Sequence, residues 1–143
     1  MKTIYVASPL LAGAIVFSWP ATARLNAQAP QLERITVSLR TQGYQDTGRR
    51  WSGSLTQGQS SFHAVYMRRG VEYVFSATCD VDCSDVDLQL FSPAGAVVAE
   101  DLLSDDVPQI AFTPVTSGTY RIGVRMHRCS LAPCGYSVSA VQW

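Results

Sequence analysis

The sequence predicts an all-β protein, an antiparallel sandwich or barrel of eight or nine short strands. Two observations lead there. Apolar side chains recur with a period of two along most of the chain, and clusters of glycine, proline and serine cut the alternating runs at short intervals. Period two is the mark of a half-buried strand, whose successive side chains point to opposite faces. Helical periodicity is absent, so nothing competes with the strand reading over long stretches.

Each run can be placed in order. Ile35, Val37 and Leu39 alternate with polar residues and read as a first strand, followed by Trp51, Gly53 and Leu55. In SFHAVYM, Phe62, Ala64 and Tyr66 form one face and His63, Val65 and Met67 the other. Tyr73, Phe75, Ala77 and Cys79 line one face of EYVFSATC, and Val86, Leu88 and Leu90 line one face of the next run. AVVAE and QIAF follow, then TYRIGVRM with Tyr120, Ile122, Val124 and Met126 on one side, and YSVSAVQW closes the chain. Ser92-Pro93-Ala94-Gly95 predicts a β-turn joining LQLF to AVVAE as a hairpin, because proline presets φ at the second position and glycine suits the fourth. VAEDLLSDDV is the one helical candidate.

The N-terminus reads as a targeting segment. Lys2 precedes the apolar run Ile4–Phe17, and Ala21-Thr22-Ala23 offers small residues for cleavage, as in a secretory signal peptide. The run is too short for an ordinary membrane span. Residues 1–23 are therefore expected to be removed, with cleavage after Ala29 as the alternative; residues 24–33 read as an extended leader and 34–143 as a single sandwich domain. A secreted or periplasmic location follows, with no membrane span in the mature chain. Eight of the 11 acidic residues lie between Asp80 and Asp106, and no Arg or Lys falls between Arg69 and Arg121. That distribution excludes a globally basic nucleic-acid binder.

Four cysteines, Cys79, Cys83, Cys129 and Cys134, are all expected in disulfides, since an even count in an exported chain meets an oxidising compartment. Zinc is the weaker reading, because C-x3-C and C-x4-C miss the tight knuckle spacing. The local pairs Cys79–Cys83 and Cys129–Cys134 are favoured over pairings that tie the two loops together. Asp80, Asp82, Asp85 and Asp87, together with Glu100, Asp101, Asp105 or Asp106, offer the several hard oxygens that would suit calcium, the cofactor the sequence suggests. Asp80, Asp82 and Ser84 even match the first, third and fifth positions of an EF-hand loop, but Asp85 stands where the turn glycine is needed and Phe91 where the bidentate glutamate should be. Hydrated loop acids are the plainer reading. If the strands DVDLQLF and TYRIGVRMHR are neighbours, Asp85, Asp87 and Gln89 face Arg121, Gly123, Arg125 and His127, giving cross-strand ion pairs.

Catalysis finds no constellation. The chain has two histidines, His63 and His127, and carries no GxSxG, HExxH, phosphate-cradling or dinucleotide motif. Aromatics give the remaining lead. Tyr66, Tyr73, Tyr120 and Tyr136 are expected in the core, whereas Tyr44, Trp51 and Trp143 sit at turns or chain ends with freer rings. A ligand is sought first at the end bearing Asp80–Asp87 and His127–Cys134, with Arg125 beside it, and second at Trp51, where Arg49 and Arg50 are adjacent.

From Trp51 onward the order of motifs resembles bacterial pre-peptidase C-terminal domains, which are collagen-binding-domain-like β-sandwiches. The residues that carry the resemblance are Gly53, Leu55, Gly70, Tyr73, Asp85, Asp87, Leu88, Pro93, Gly95, Gly118, Thr119, Tyr120, Gly135 and Tyr136. The resemblance implies a jelly-roll-like fold and a non-catalytic module, in a group whose members bind collagen or polysaccharide and in some cases calcium. Two features depart from it: no catalytic domain is attached, and the cysteines lie outside the matched positions. The expected function is thus an exported binding module for a macromolecular or surface ligand, polysaccharide or protein. An envelope structural component is the alternative, and a calcium-dependent module or small hydrolase stands further off.

Overall fold

The computed structural model describes residues 21–143, with side chains from residue 30 onward. The expected export segment lies outside them except for its last three residues. One helix, α1 (Ala21–Thr41), precedes eight strands: β1 (Gln45–Leu55), β2 (Ser60–Met67), β3 (Tyr73–Cys79), β4 (Cys83–Phe91), β5 (Val97–Asp101), β6 (Gln109–Phe112), β7 (Gly118–Cys129) and β8 (Cys134–Gln142). They form two four-stranded sheets, β1-β8-β3-β6 and β2-β7-β4-β5, in which every pairing is antiparallel. Successive strands alternate between the sheets, with β4–β5 the one sequential hairpin inside a sheet, which is the strand order of an eight-stranded jelly roll. The all-β sandwich expected from the alternation is therefore the observed fold.

The faces follow the pattern. Val86, Leu88 and Leu90 of β4, and Ile122, Val124 and Met126 of β7, turn inward against Phe75 and Ala77 of β3 and Tyr136 and Val138 of β8. The Ser92–Gly95 turn forms as expected: Gly95 N–H donates to the Ser92 carbonyl at 2.8 Å, and Gly95 takes φ 89°, a conformation that only glycine adopts cheaply. Both local disulfides, Cys79–Cys83 and Cys129–Cys134, are present. Cys83 lies opposite Cys129 in the β4–β7 register, so the two bridges share one end of the sandwich.

Four expectations are corrected. The extended leader 24–33 and the strand at Ile35–Leu39 are both parts of α1. Leu32 and Thr36 are buried, Ile35 and Leu39 half-buried and Val37 exposed, so the burial spacing is helical. The alternation of Ile35, Val37 and Leu39 hid this, because Thr36 is not an apolar residue. Gly43, at φ 108°, ends the helix: its N–H donates to the Arg40 carbonyl and the Tyr44 N–H to that of Leu39, a Schellman closure. The Trp143 ring packs against Gly43 and meets Tyr44 edge-on at 5.2 Å, so both of these supposedly freer rings are engaged. Finally, the helical candidate VAEDLLSDDV is strand as far as Asp101. Beyond it, Asp101 accepts the N–H groups of Leu103 and Gln109, and Asp105 accepts that of Val107, bonds that draw the backbone into turns instead.

Helix α1 gives the sandwich its asymmetry. It lies across β8, β3 and β1, where the Thr36 hydroxyl bonds to the Leu32 carbonyl and meets Ser139 Oγ at 3.4 Å. Every residue of β3 is consequently buried, including the outward Val74, Ser76 and Thr78. The other sheet keeps a wet outer face.

Candidate binding face

The outer face of the sheet β2-β7-β4-β5 carries the side chains with the most chemistry to offer. Phe62 and Tyr66 of β2 point outward and are each 53% exposed. Tyr66, expected in the core, thus belongs to the surface; its strand is apolar on both faces, so the alternation alone did not choose between them. Gly123 of β7 pairs with Phe62 on one side and Gln89 on the other. Having no side chain, Gly123 leaves a trough, and the rings of Phe62 and Phe91 close over it at 5.6 Å in an edge-to-face arrangement. The Arg121 guanidinium lies 5.7 Å from the Phe62 ring and 5.8 Å from the Phe91 ring, within cation–π range of both. Phe62, Phe91 and Arg121 were not singled out as ligand residues from the sequence. The signal that could have found them is the small Gly123 between outward-facing aromatics, which requires knowing which strands are neighbours.

Farther along β4 and β7 the face turns polar. The strands are neighbours, as the cross-strand reading requires, and Asp87 lies opposite Arg125. The Asp87 carboxylate faces His127, Oδ2 to Nδ1 at 3.7 Å, an ion pair whenever the imidazole is protonated. Asp85 and Asp87 are buried despite facing outward, because Leu102 and Ser104 of the loop after β5 wall a cavity of about 220 Å³ over them, with Arg125 and His127 on its other side. Burial, and then the neighbouring Asp85, push the Asp87 carboxyl above its usual range, against the pull of His127 and Arg125.

The four candidate calcium aspartates, Asp80 to Asp87, do not converge on one point. Asp80 sits in the β3–β4 turn, where its two carboxylate oxygens accept from the N–H groups of Asp82 and Gly135. The Asp82 carbonyl accepts from Ser130, so this pair of aspartates fastens one disulfide loop to the other. Asp85 and Asp87 face the separate cavity on the sheet. Among the described residues no group of three or more His, Cys, Asp or Glu side chains is placed to hold a metal ion.

Trp51 lies apart from this face. It is half-buried at the open side of the sandwich, stacked on His63 at 5.9 Å, and His63 Nε2 is hydrogen-bonded to the Tyr136 hydroxyl at 2.9 Å. Gly53 allows Tyr136 this position, since a Cβ there would come within 2.8 Å of the hydroxyl. Partial burial lowers the His63 pKa from 6.5. The folded state therefore binds fewer protons than the unfolded chain just below pH 6.5, and stability that is present above that value is lost as pH falls through the folded pKa. Melting temperature should fall on acidification from pH 7 to pH 5, and His63→Gln should remove part of that slope; an identical slope in the variant would assign the effect elsewhere.

Among the described residues no serine, threonine or cysteine is hydrogen-bonded to His63 or His127, and all four cysteines are in disulfides. No helix among the described residues is long and apolar enough to cross a membrane.

No protein family matches the chain, and no curated protein does. Among solved structures it is similar to PliG of Aeromonas hydrophila, a periplasmic lysozyme inhibitor of g-type lysozyme, at 19% identity over 69% of this chain and 89% of that one, with a TM-score of 0.44. At that distance the likeness argues for neither fold nor function.

Proposed function

We propose that this protein is an exported, non-catalytic β-sandwich module, of the pre-peptidase C-terminal type, that binds a protein partner on the outer face of the sheet β2-β7-β4-β5. One observation carries the reading: α1 covers β8 and β3 of the opposite sheet, while this one presents Phe62 and Tyr66 to solvent, with half-buried Phe91 and the Arg121 guanidinium beside Phe62. Exposed aromatic rings and arginine at the centre of a patch, with polar residues around them, are the composition of a protein-binding hot spot. A polysaccharide chain is served best by rings lying in one plane, on which successive sugars stack. Phe62 and Phe91 stand at 68° to each other, which favours the protein partner. Paired cysteines and the expected signal segment support export.

A photo-crosslinking benzophenone side chain placed at Ala64, between Phe62 and Tyr66, tests this in the native cell. A discrete protein adduct is expected, and Phe62→Ala should weaken it. Adducts with carbohydrate alone, or no adduct from this position, would refute the protein-binding face.

A further inference from the structure

Along the outer face of β4 the order Phe91, Gln89, Asp87, Asp85 leads from the aromatic cluster straight into the cavity under Leu102 and Ser104. Asp85 is only 3% exposed, and among the described residues no group donates a hydrogen bond to its Oδ1. A buried carboxylate oxygen left without a donor is costly, and the cost is recovered when a donor arrives. Asp87, 6% exposed, meets His127 at 3.7 Å, beyond hydrogen-bond reach. Two largely buried carboxylates thus line one cavity, and one of their oxygens, Asp85 Oδ1, has no donor among the described residues.

The chemistry of the missing donor can be narrowed. A metal ion needs several converging ligands, and the described residues offer no group of three. Arg125 stands opposite Asp87 in the register, yet no ion pair joins it to either carboxylate. A guanidinium fits: it is planar, carries five N–H donors in a fixed fork and serves two carboxylates at once, while its weakly hydrated face tolerates an apolar wall such as Leu102.

We propose that the cavity between Asp85, Asp87 and Leu102 is a receptor for a guanidinium group, the side chain of an arginine presented by the protein partner that covers Phe62 and Phe91. This rests on the reading of the open face as protein-binding, and names the anchor that would fix the partner's register there. The site acts by binding alone; no bond is made or broken.

The test needs no partner. The purified protein is titrated with N-acetyl-arginine methylamide while its backbone amides are followed by heteronuclear NMR, with N-acetyl-citrulline methylamide as the neutral isostere and calcium chloride as a separate arm. Saturable shifts are expected at Asp85, Asp87, Gln89 and His127 with the arginine probe. Citrulline should bind about tenfold or more weakly, as loss of a charged hydrogen-bonded pair requires. Asp85→Asn and Asp87→Asn, each with an otherwise native spectrum, should weaken the arginine probe by a similar factor; having two variants guards against one that misfolds. Absence of saturable shifts, equal binding of citrulline, unchanged affinity in both variants, or calcium producing the same shifts would each overturn the proposal. If the arginine probe fails while cross-links from position 64 persist, the anchor is wrong and the face stands. If the probe binds while position 64 gives no protein adduct, the cavity is a cation site independent of any such face.

Discussion

Replacing Phe75 by alanine should lower the unfolding free energy by about 3–5 kcal/mol, the usual cost of deleting a fully enclosed aromatic ring. Phe75 has no exposed surface and sits between the two sheets, beside Ala77 and among the inward rows of β4 and β7. With domains of this size typically stable by only about 5–15 kcal/mol, the variant should stand near the edge of folding. Urea denaturation measures it: the midpoint falls and the slope holds. A loss under about 1 kcal/mol would mean that the ring is not enclosed by both sheets.

The double substitution Phe62→Ala with Phe91→Ala should behave in the opposite way. These rings also lie in alternating strands, but on the outward side, packed on each other over Gly123. Removing both forfeits their mutual contact, worth about 1 kcal/mol of stability. Partner binding should suffer far more, by about 2 kcal/mol or more, roughly thirtyfold, since aromatic anchors at the centre of an interface dominate affinity. The yield of protein adduct from a crosslinker at Ala64 reports it. Equal yield from the double variant would remove these rings from the binding face.

The contrast between Phe75 and Phe62 shows how far the sequence could be read. Alternation placed the strands, with part of β5 misread as a helical candidate, and proline-glycine chemistry placed the Ser92–Gly95 turn, because those features are local. Alternation also placed Asp85, Asp87 and Gln89 on one face opposite Arg125 and His127, since faces follow from parity along each strand. Which face of β2 turned inward stayed ambiguous, because Phe62, Ala64 and Tyr66 are as apolar as their counterparts Val65 and Met67. Only the neighbouring strands decide that, through Tyr120 and Ile122 on the inner side and Arg121 and Gly123 on the outer. Helix α1 escaped for a related reason. Its buried positions include Thr36, a hydroxyl set against Ser139, so the helical stripe carried little hydrophobic signal.

The division of labour among the aspartates was equally hidden. Asp80 and Asp85 lie five residues apart in one acidic run, yet Asp80 caps a turn through the N–H of Gly135, distant in sequence, and Asp85 enters a cavity roofed by a loop that follows β5. Hydrogen-bond partners that come from remote segments leave no trace in local spacing. The local disulfides could be anticipated because each closes a short connection between consecutive strands.

Hydroxyl-radical footprinting of the protein, free in buffer and mixed into extract of its native compartment, addresses the open face most directly. Phe62 and Tyr66 should oxidise readily in buffer and become protected in extract, while exposed side chains away from this sheet face, such as Val37 on α1 and Trp143, react equally in both. Rings on β2 that oxidise at the same rate in both conditions, or protection that falls on α1 instead, would contradict the assignment of this face to a partner.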